Sequence, residues 1–527
     1  MEPDSGVAPH AHRGRVVMLV DNGVNGDSRV QKTARSAAEA GWEVTLLGRS
    51  YTGATQTWKI GEADVRLIHM PTPLGMQRHW FRRSWLRRPL AYPPYHVAQY
   101  RTQQVKAWRA DLALRLAELS PNARKPKSAA RRALGKAALV APRLCAQVAY
   151  RWVRLRAGET RRMKDARKNT DTRLDQLWAR VLVKLRGDRA WRQLDPQLWD
   201  YELAFGPVID SLKPELIHAN DFRMLGVGAR STIRQRAAGR DVKLVWDAHE
   251  FLPGVRPYSD NARWRPANVH HEREYSPYAD AVITVSDTLA DMLQESHSLP
   301  EKPAVVLNAP GGEAPEDVSD EPVPDIRELC GIGPDVPLMV YSGAAAPQRG
   351  LDIMVESLPE LPGVHAALVV LDPNSAYLRS LVAKAEELGV PDRVHVMGYV
   401  PHYQVVPFLS GANIGVIPIH HWPNHEIALI TKYFEYSHAR LPLVVSDVKT
   451  MSEVAERTGQ GEVFKAEDLD DFLRAMRAVL ADPERYAKVY DQPGLLEQWT
   501  WEHQATVLDE VYSTVMSIPP RTVGTRS

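Results

Sequence analysis

Residues 424–447, NHEIALITKYFEYSHARLPLVVSD, set Lys432 and Glu435 three positions apart, with Glu426 upstream. On a helix that spacing puts both side chains on one face. A carboxylate so placed can accept from two vicinal hydroxyls, such as those of a ribose, while the lysine supplies positive charge beside it. The same pair is equally compatible with an ordinary i,i+3 salt bridge, and the two glutamates with a paired acid and base.

Two further stretches carry chemistry. In YSGAAAPQRGLD, Ser342 and Gly343 end a β-rich run, a small-residue loop follows, and a helix is predicted from near Leu351. Backbone amides at a helix start, with Arg349 beside them, suit a diphosphate; a tight turn with a solvated arginine has the same sequence. In KLVWDAHEFLPG, His249 and Glu250 follow a β-rich run, but the second histidine of a zinc protease motif is missing. The pairs His270–His271 and His420–His421 lack metal-ligand spacing, so no metal is expected. Nor is there a P-loop, a G-x-S-x-G elbow or a nucleophilic cysteine context.

These residues need a scaffold that gathers strand ends. RVVMLVD, the turn NGVNGD, the helical SRVQKTARSAAEAG and the apolar WEVTLLGRS read as strand, loop, helix and strand, the opening of a doubly wound α/β domain. Ligands of such sheets sit at the carboxyl ends of strands, here Asp21 to Asp27. VRLIHMP, PELIHANDF, KLVWDAHEF, ADAVITVSD and PAVVLNAPG continue the pattern. The segment GGEAPEDVSDEPVPD reads as a linker. Beyond it PLMVYSG, HAALVVLD, RVHVMGYV, ANIGVIPI and LPLVVSD predict a second doubly wound domain, and EQWTWEHQATVLDEVYSTVM a closing amphipathic helix.

Length and charge set the frame. A chain of 527 residues, 44% hydrophobic and 25% charged, is long enough for two or three domains of ordinary composition. Its two cysteines, Cys145 and Cys330, offer no disulfide framework, and neither a signal peptide nor a transmembrane span is read, so a cytoplasmic setting is expected. The net charge of +2 conceals an asymmetry. Residues 75–200 carry 30 Lys and Arg against 9 Asp and Glu, an excess of +21, which leaves about −19 elsewhere. Within this stretch Leu134, Ala138, Ala141, Cys145, Val148, Trp152 and Leu155 recur at steps of three and four, with Arg143, Arg151 and Arg154 off the stripe. Leu174, Leu177, Trp178, Val181 and Leu185 repeat the pattern, and Pro142 is expected to kink or split the first of these helices. Arginine-rich helices with interfacial tryptophans suit an anionic membrane surface; an insertion packed on its own domain is the plainer alternative.

Taken in order, GDSRVQKTARSAAEAGWEVTLLG, IHANDF, KLVWDAHEFLPG, ADAVITVSD, VVLNAP, GAAAPQRGLD, GYVPHYQVVPFLSGANIGVIPI and TKYFEYSHARLPLVVSD resemble glycosyltransferase family 4, over roughly 400 residues. The resemblance implies the GT-B fold, two Rossmann-like domains facing a cleft, and retaining transfer from a nucleotide-sugar without a metal or other cofactor. It implies that Glu435 binds the donor ribose, that Lys432 and Arg349 serve the diphosphate, and that His249 lies near the transferred sugar. Asn22 to Asp27 match the loop approaching phosphate and acceptor, Gly343 the donor loop, and Gly398 the turn beside the nucleobase. The family's first motif glutamate would fall at Ile427, with Glu426 one residue early; Ile430 and Arg440 replace a proline and a glycine, and Asp372–Pro373 stand where glycines are frequent.

The expected organisation is a first Rossmann-like domain, 14–74 and 201–302, interrupted by a basic helical insertion, 75–200. A second, donor domain spans 303–485, and a helix and tail 486–527. The expected function is transfer of a sugar to an acceptor hydroxyl in cell-envelope polysaccharide or glycolipid synthesis, at the inner face of the membrane. Alternatives are a nucleotide-sugar epimerase or hydrolase of the same fold, or a non-catalytic scaffold or nucleic-acid binder working through the insertion; nucleic acid is the less expected partner.

Overall fold

The computed structural model describes residues 13–75, 92, 97–123, 128–157, 171, 173–255, 261–311 and 322–520. Apart from Tyr92, the basic and aromatic segment 76–96 lies outside the described residues, as does most of the linker 311–325. By contacts the chain divides into two units, residues 1–284, 293–304 and 508–527 in one and 285–292 and 305–507 in the other.

The first unit is built on an eight-stranded sheet of order β3-β4-β2-β1-β5-β6-β7-β8. Its strands are β1 (Arg15–Leu19), β2 (Glu43–Ser50), β3 (Gln56–Ile60), β4 (Ala63–His69), β5 (Leu216–Asn220), β6 (Lys243–Ala248), β7 (Ala281–Thr284) and β8 (Ala304–Val305). Strands β4, β2, β1, β5, β6 and β7 run parallel, so the carboxyl ends of β1, β5 and β6 lie side by side. The central strands are largely apolar because helices cover both faces, as Val16 to Leu19 and Leu216 to Ala219 illustrate by being buried without exception. Strand β3 pairs antiparallel to β4 at the edge; its sequence QTWKI is too polar and short to stand out beforehand.

The insertion is helical. Helices α2 (Val97–Ala117), α3 (Ala129–Ala157) and α4 (Arg173–Arg186) follow β4, and α2 packs against α3. Helix α3 continues through Pro142 as one element and is not split. A proline within so long a helix forfeits only one of many backbone bonds.

The second unit holds a six-stranded parallel sheet of order β11-β10-β9-β12-β13-β14. The strands are β9 (Leu338–Ser342), β10 (His365–Val369), β11 (Val394–Met397), β12 (Ile414–Ile417), β13 (Leu443–Ser446) and β14 (Gly461–Phe464). The order steps outward from β9 in both directions, the reversal of winding that marks a ligand site in an open α/β sheet. Aromatic residues Tyr433, Phe434 and Trp499 fill one face of this sheet and Phe464 and Phe472 the other. The closing helix Trp501–Met516 begins in the second unit and ends in the first, where Asp509 accepts from Arg13 and the Trp42 indole.

Candidate functional site

In the second unit the helix Thr431–His438 is anchored by Tyr436. The ring of Tyr436 packs where a side chain on Gly415 would stand, and its hydroxyl accepts from the Ser342 amide at 2.7 Å. This ties the helix to the end of β9 and delivers Lys432 and Glu435, one turn apart, to that strand's carboxyl end. Lys432 is buried; its ammonium donates to the Tyr341 hydroxyl at 2.9 Å and lies 4.0 Å from the centre of that ring. Tyr341 donates in turn to the Ala344 carbonyl.

Gly343 makes room for this lysine. Its φ of +146° is one that other residues rarely adopt, and a β-carbon there would lie 2.6 Å from Lys432 Nζ. The loop then closes at Gly350, with φ +66°, where a β-carbon would meet the Pro418 carbonyl at 2.0 Å. Between them Pro347–Arg349 is a single 3-10 turn, and the helix that follows, Asp352–Glu356, is short. The amides of Gly343, Arg349 and Gly350 donate to Val369, Ala346 and Pro347 carbonyls, so the positive charge here comes from side chains.

Burial pushes the Lys432 ammonium down to about 7, with Arg349 pressing the same way and Glu435 opposing. Burial also raises the Tyr399 phenol, with Glu435 adding to the rise and Arg349 opposing it, so Tyr399, next to Gly398, shares the same field. A partly protonated lysine and an arginine therefore share one field with a carboxylate. Such a group gains most from a ligand that brings two negative charges.

Glu426 and Ile427 have other tasks. Glu426 accepts from His421 at 2.6 Å and, with its second oxygen, from the Lys449 amide that opens the helix Lys449–Thr458. His421 reaches Asp447 at 2.9 Å through its other nitrogen. Ile427 is buried, and its carbonyl accepts from the Ser286 hydroxyl.

In the first unit the ends of β1, β5 and β6 gather a second constellation. Arg29, on α1 (Ser28–Glu39), is buried and grips Asp247 with two bonds, 2.8 and 2.9 Å. His249 stands 3.1 Å from the same carboxylate and 3.3 Å from Asp221. Burial alone would lower the His249 imidazole, but Asp247 and Asp221 outweigh it and raise it to about 9. Arg29 Nε also lies 3.1 Å from His249 Nε2, so the ring is fixed by three side chains and suited to a positioning role. Burial raises Asp221 to about 7; it heads the helix Asp221–Ala237 with φ +60°, an unusual backbone for a non-glycine residue. Asp247 is held well below the usual carboxylate range by Arg29 and His249 in spite of its burial. Behind it, His218 Nε2 lies 3.6 Å away and His218 Nδ1 meets the Tyr512 hydroxyl at 2.7 Å, so the end of the closing helix buttresses this group.

Asn22 and Asp27 bond each other at 2.7 Å; Asn22 also accepts from the Val24 amide, and Asp27 caps α1 through the Val30 amide. Beside this loop a polar cavity of about 330 Å³ opens in the same unit, walled by Asp21, Arg49, Tyr51, Asp195, Tyr201, Arg223 and Trp264. Asp21 pairs with Arg223 across its floor and raises the Asp221 carboxyl electrostatically, which places the cavity against the His249 group.

The residues named from sequence thus fall into two groups, Arg349, Lys432, Glu435, Gly343 and Gly398 in the second unit and His249, Asn22 and Asp27 in the first. Sequence reasoning missed Arg29 and Tyr341. Their signals were faint: an arginine on the apolar side of an otherwise ordinary helix, and an aromatic inside a buried strand. Among the described residues no group of three or more His, Cys, Asp or Glu is placed to hold a metal ion. His270 pairs with Asp188, and His271 is buried against Trp191 and Tyr275.

Two parallel-sheet units with ligand-ready strand ends define a GT-B protein, and comparison with known proteins agrees. Residues 324–492 match the glycosyl transferases group 1 family, and residues 166–309 match Glycosyltransferase Family 4. Together the two matched segments support a glycosyltransferase of the family 4 type. It is 26% identical over 323 residues to the GDP-mannose-dependent alpha-(1-6)-phosphatidylinositol monomannoside mannosyltransferase of Mycolicibacterium smegmatis, covering 58% of this chain and 80% of that protein. Sucrose-phosphate synthase from Thermosynechococcus elongatus superposes with a TM-score of 0.58 at 14% identity, covering 96% of this chain and all of that one, 100%. HepE from Anabaena, in complex with UDP-glucose, gives 0.52 at 13% identity over 95% and 100% of the two chains. The solved structures establish the fold, and the family matches support a glycosyltransferase.

Proposed function

We propose that this enzyme transfers a sugar, with retention at the anomeric carbon, from a nucleoside diphosphate sugar to an acceptor hydroxyl of a cell-envelope polysaccharide or glycolipid. The observation that carries the donor half is the buried Lys432 packed under Gly343 against Tyr341, in the electrostatic field of Arg349 and Glu435. In this reading Glu435 accepts from the ribose hydroxyls and the turn at Gly398 flanks the nucleobase. As the bond from the anomeric carbon to phosphate breaks, charge grows on the leaving diphosphate, and Arg349 and Lys432 stabilise it without a metal. The acceptor oxygen bonds to the same carbon, and its proton passes to the departing phosphate.

His249, fixed among Arg29, Asp247 and Asp221, orients the sugar and does not act as a base. Asn22 and Asp27 hold the neighbouring loop in shape, and the polar cavity beside them is the candidate acceptor pocket. Its carboxylates, arginines and aromatic walls are the chemistry that recognises a hydroxyl-rich ring. Support from relatives is consistent, since one is named for mannosyl transfer to a phosphatidylinositol mannoside. A thermal-shift screen of nucleoside diphosphate sugars tests the donor assignment, and the anomeric coupling in the product's NMR spectrum tests retention. Inversion at the anomeric carbon, or stabilisation by none of the donors, would refute this reading.

A further inference from the structure

Helix α3 buries only Ala146 and Val153 of its residues, on the side that faces the rest of the insertion. Its opposite side is apolar and uncovered. Leu134 is 74% exposed, Leu144 64%, Val148 67%, Trp152 51% and Leu155 71%, and Cys145 lies on the same side, exposed. From Leu134 to Leu155 this strip is about 30 Å long at the α-helical rise. Helix α4 repeats the feature, with Leu177, Trp178, Val181 and Leu185 all exposed. Large side chains set out in rows like this are far more than the scattered apolar exposure of an ordinary surface.

The charges around the strip say what covers it. Helix α3 contains seven Lys and Arg and not one Asp or Glu. At about 100° per residue, Arg151 borders one edge of the strip and Arg131 and Arg156 the other, with Lys136, Arg143 and Arg154 further round on the first side. No described helix is long and apolar enough to cross a membrane. We infer that α3 and α4 lie flat in the interface of an anionic bilayer, with Leu144, Val148, Trp152 and Leu155 entering the acyl boundary and the flanking arginines on lipid phosphates. A tryptophan on each helix and cationic margins are the composition that favours this interface. A second copy of the chain would set one all-basic helix against another, and a nucleic acid would have no use for the apolar strip. The inference stands apart from the donor site, which lies in the other unit.

Cys145 supplies the reporter. Cys330 is buried and its thiol is pushed up to about 11, so a neutral-pH thiol reagent labels Cys145 in the full-length protein. With an environment-sensitive fluorophore at Cys145, vesicles of equal parts phosphatidylcholine and phosphatidylglycerol should float the protein and shift the emission to the blue. Pure phosphatidylcholine vesicles should bind at least about tenfold more weakly, and high salt should release the protein. Replacing two exposed residues, Leu144→Glu with Val148→Glu, should reduce binding by about tenfold or more while leaving circular dichroism and nucleotide binding unchanged. Failure to bind anionic vesicles, or binding that survives the double substitution, would overturn the inference. So would a blue shift produced without lipid by raising the protein concentration or by adding RNA.

Discussion

Lys432 donates to the hydroxyl of Tyr341 at 2.9 Å from the space that a side chain on Gly343 would occupy. Lysine, tyrosine and glycine are therefore one unit, and changing the glycine should act on the lysine. In Gly343→Ala the new β-carbon and a backbone at φ +146° cost about 1–3 kcal/mol of strain and push the ammonium aside. Affinity for a nucleoside diphosphate, measured by calorimetry, should fall about tenfold or more.

The lowered Lys432 pKa predicts a pH dependence of binding. Without ligand the lysine loses its proton as pH rises through about 7, far below the ordinary lysine value. A dianionic ligand favours the ammonium, so binding should take up a proton above pH 7, and affinity should fall as pH rises, by at most about tenfold per pH unit. Above pH 7 the ligand phosphate is itself almost fully ionised, which isolates the lysine. Calorimetry in buffers of different ionisation heat measures the proton uptake, and Lys432→Met should abolish it.

Arg29 and Asp247 form a buried pair, so removing one partner strands the other's charge. Asp247→Asn should lower stability in urea by about 3–5 kcal/mol, and replacing both with apolar residues should recover part of that loss.

Glu426 separates a structural role from a donor role. It caps the helix Lys449–Thr458 and holds His421, so Glu426→Ala should cost about 1 kcal/mol in urea unfolding. Nucleotide affinity should stay within about twofold of the parent, whereas Glu435→Ala should weaken it severely.

Much of this was legible in the chain because apolar runs ending in polar residues announce parallel strands, and their ends carry the site. The shared helix face of Lys432 and Glu435 was readable from their spacing, but their roles only from the family resemblance, since an i,i+3 salt bridge has the same spacing. The departure at Ile427 was readable too, but not that Glu426 serves a helix terminus 23 residues away. Edge strands β3 and β14 escaped notice because QTWKI and GEVF carry too few apolar residues to stand out as β-rich runs. Arg29 escaped because nothing local to a helix announces a carboxylate 218 residues further on. The continuity of α3 through Pro142 is likewise a matter of the whole helix and not of the residue.

The most direct test of the donor site is calorimetric titration of nucleoside diphosphates into the parent enzyme and into Arg349→Ala, Lys432→Ala and Glu435→Ala. The account predicts that at least one nucleoside diphosphate binds the parent and that each substitution weakens it by about tenfold or more, with the folding of all four proteins matched by circular dichroism. Affinity unchanged in all three variants would contradict it.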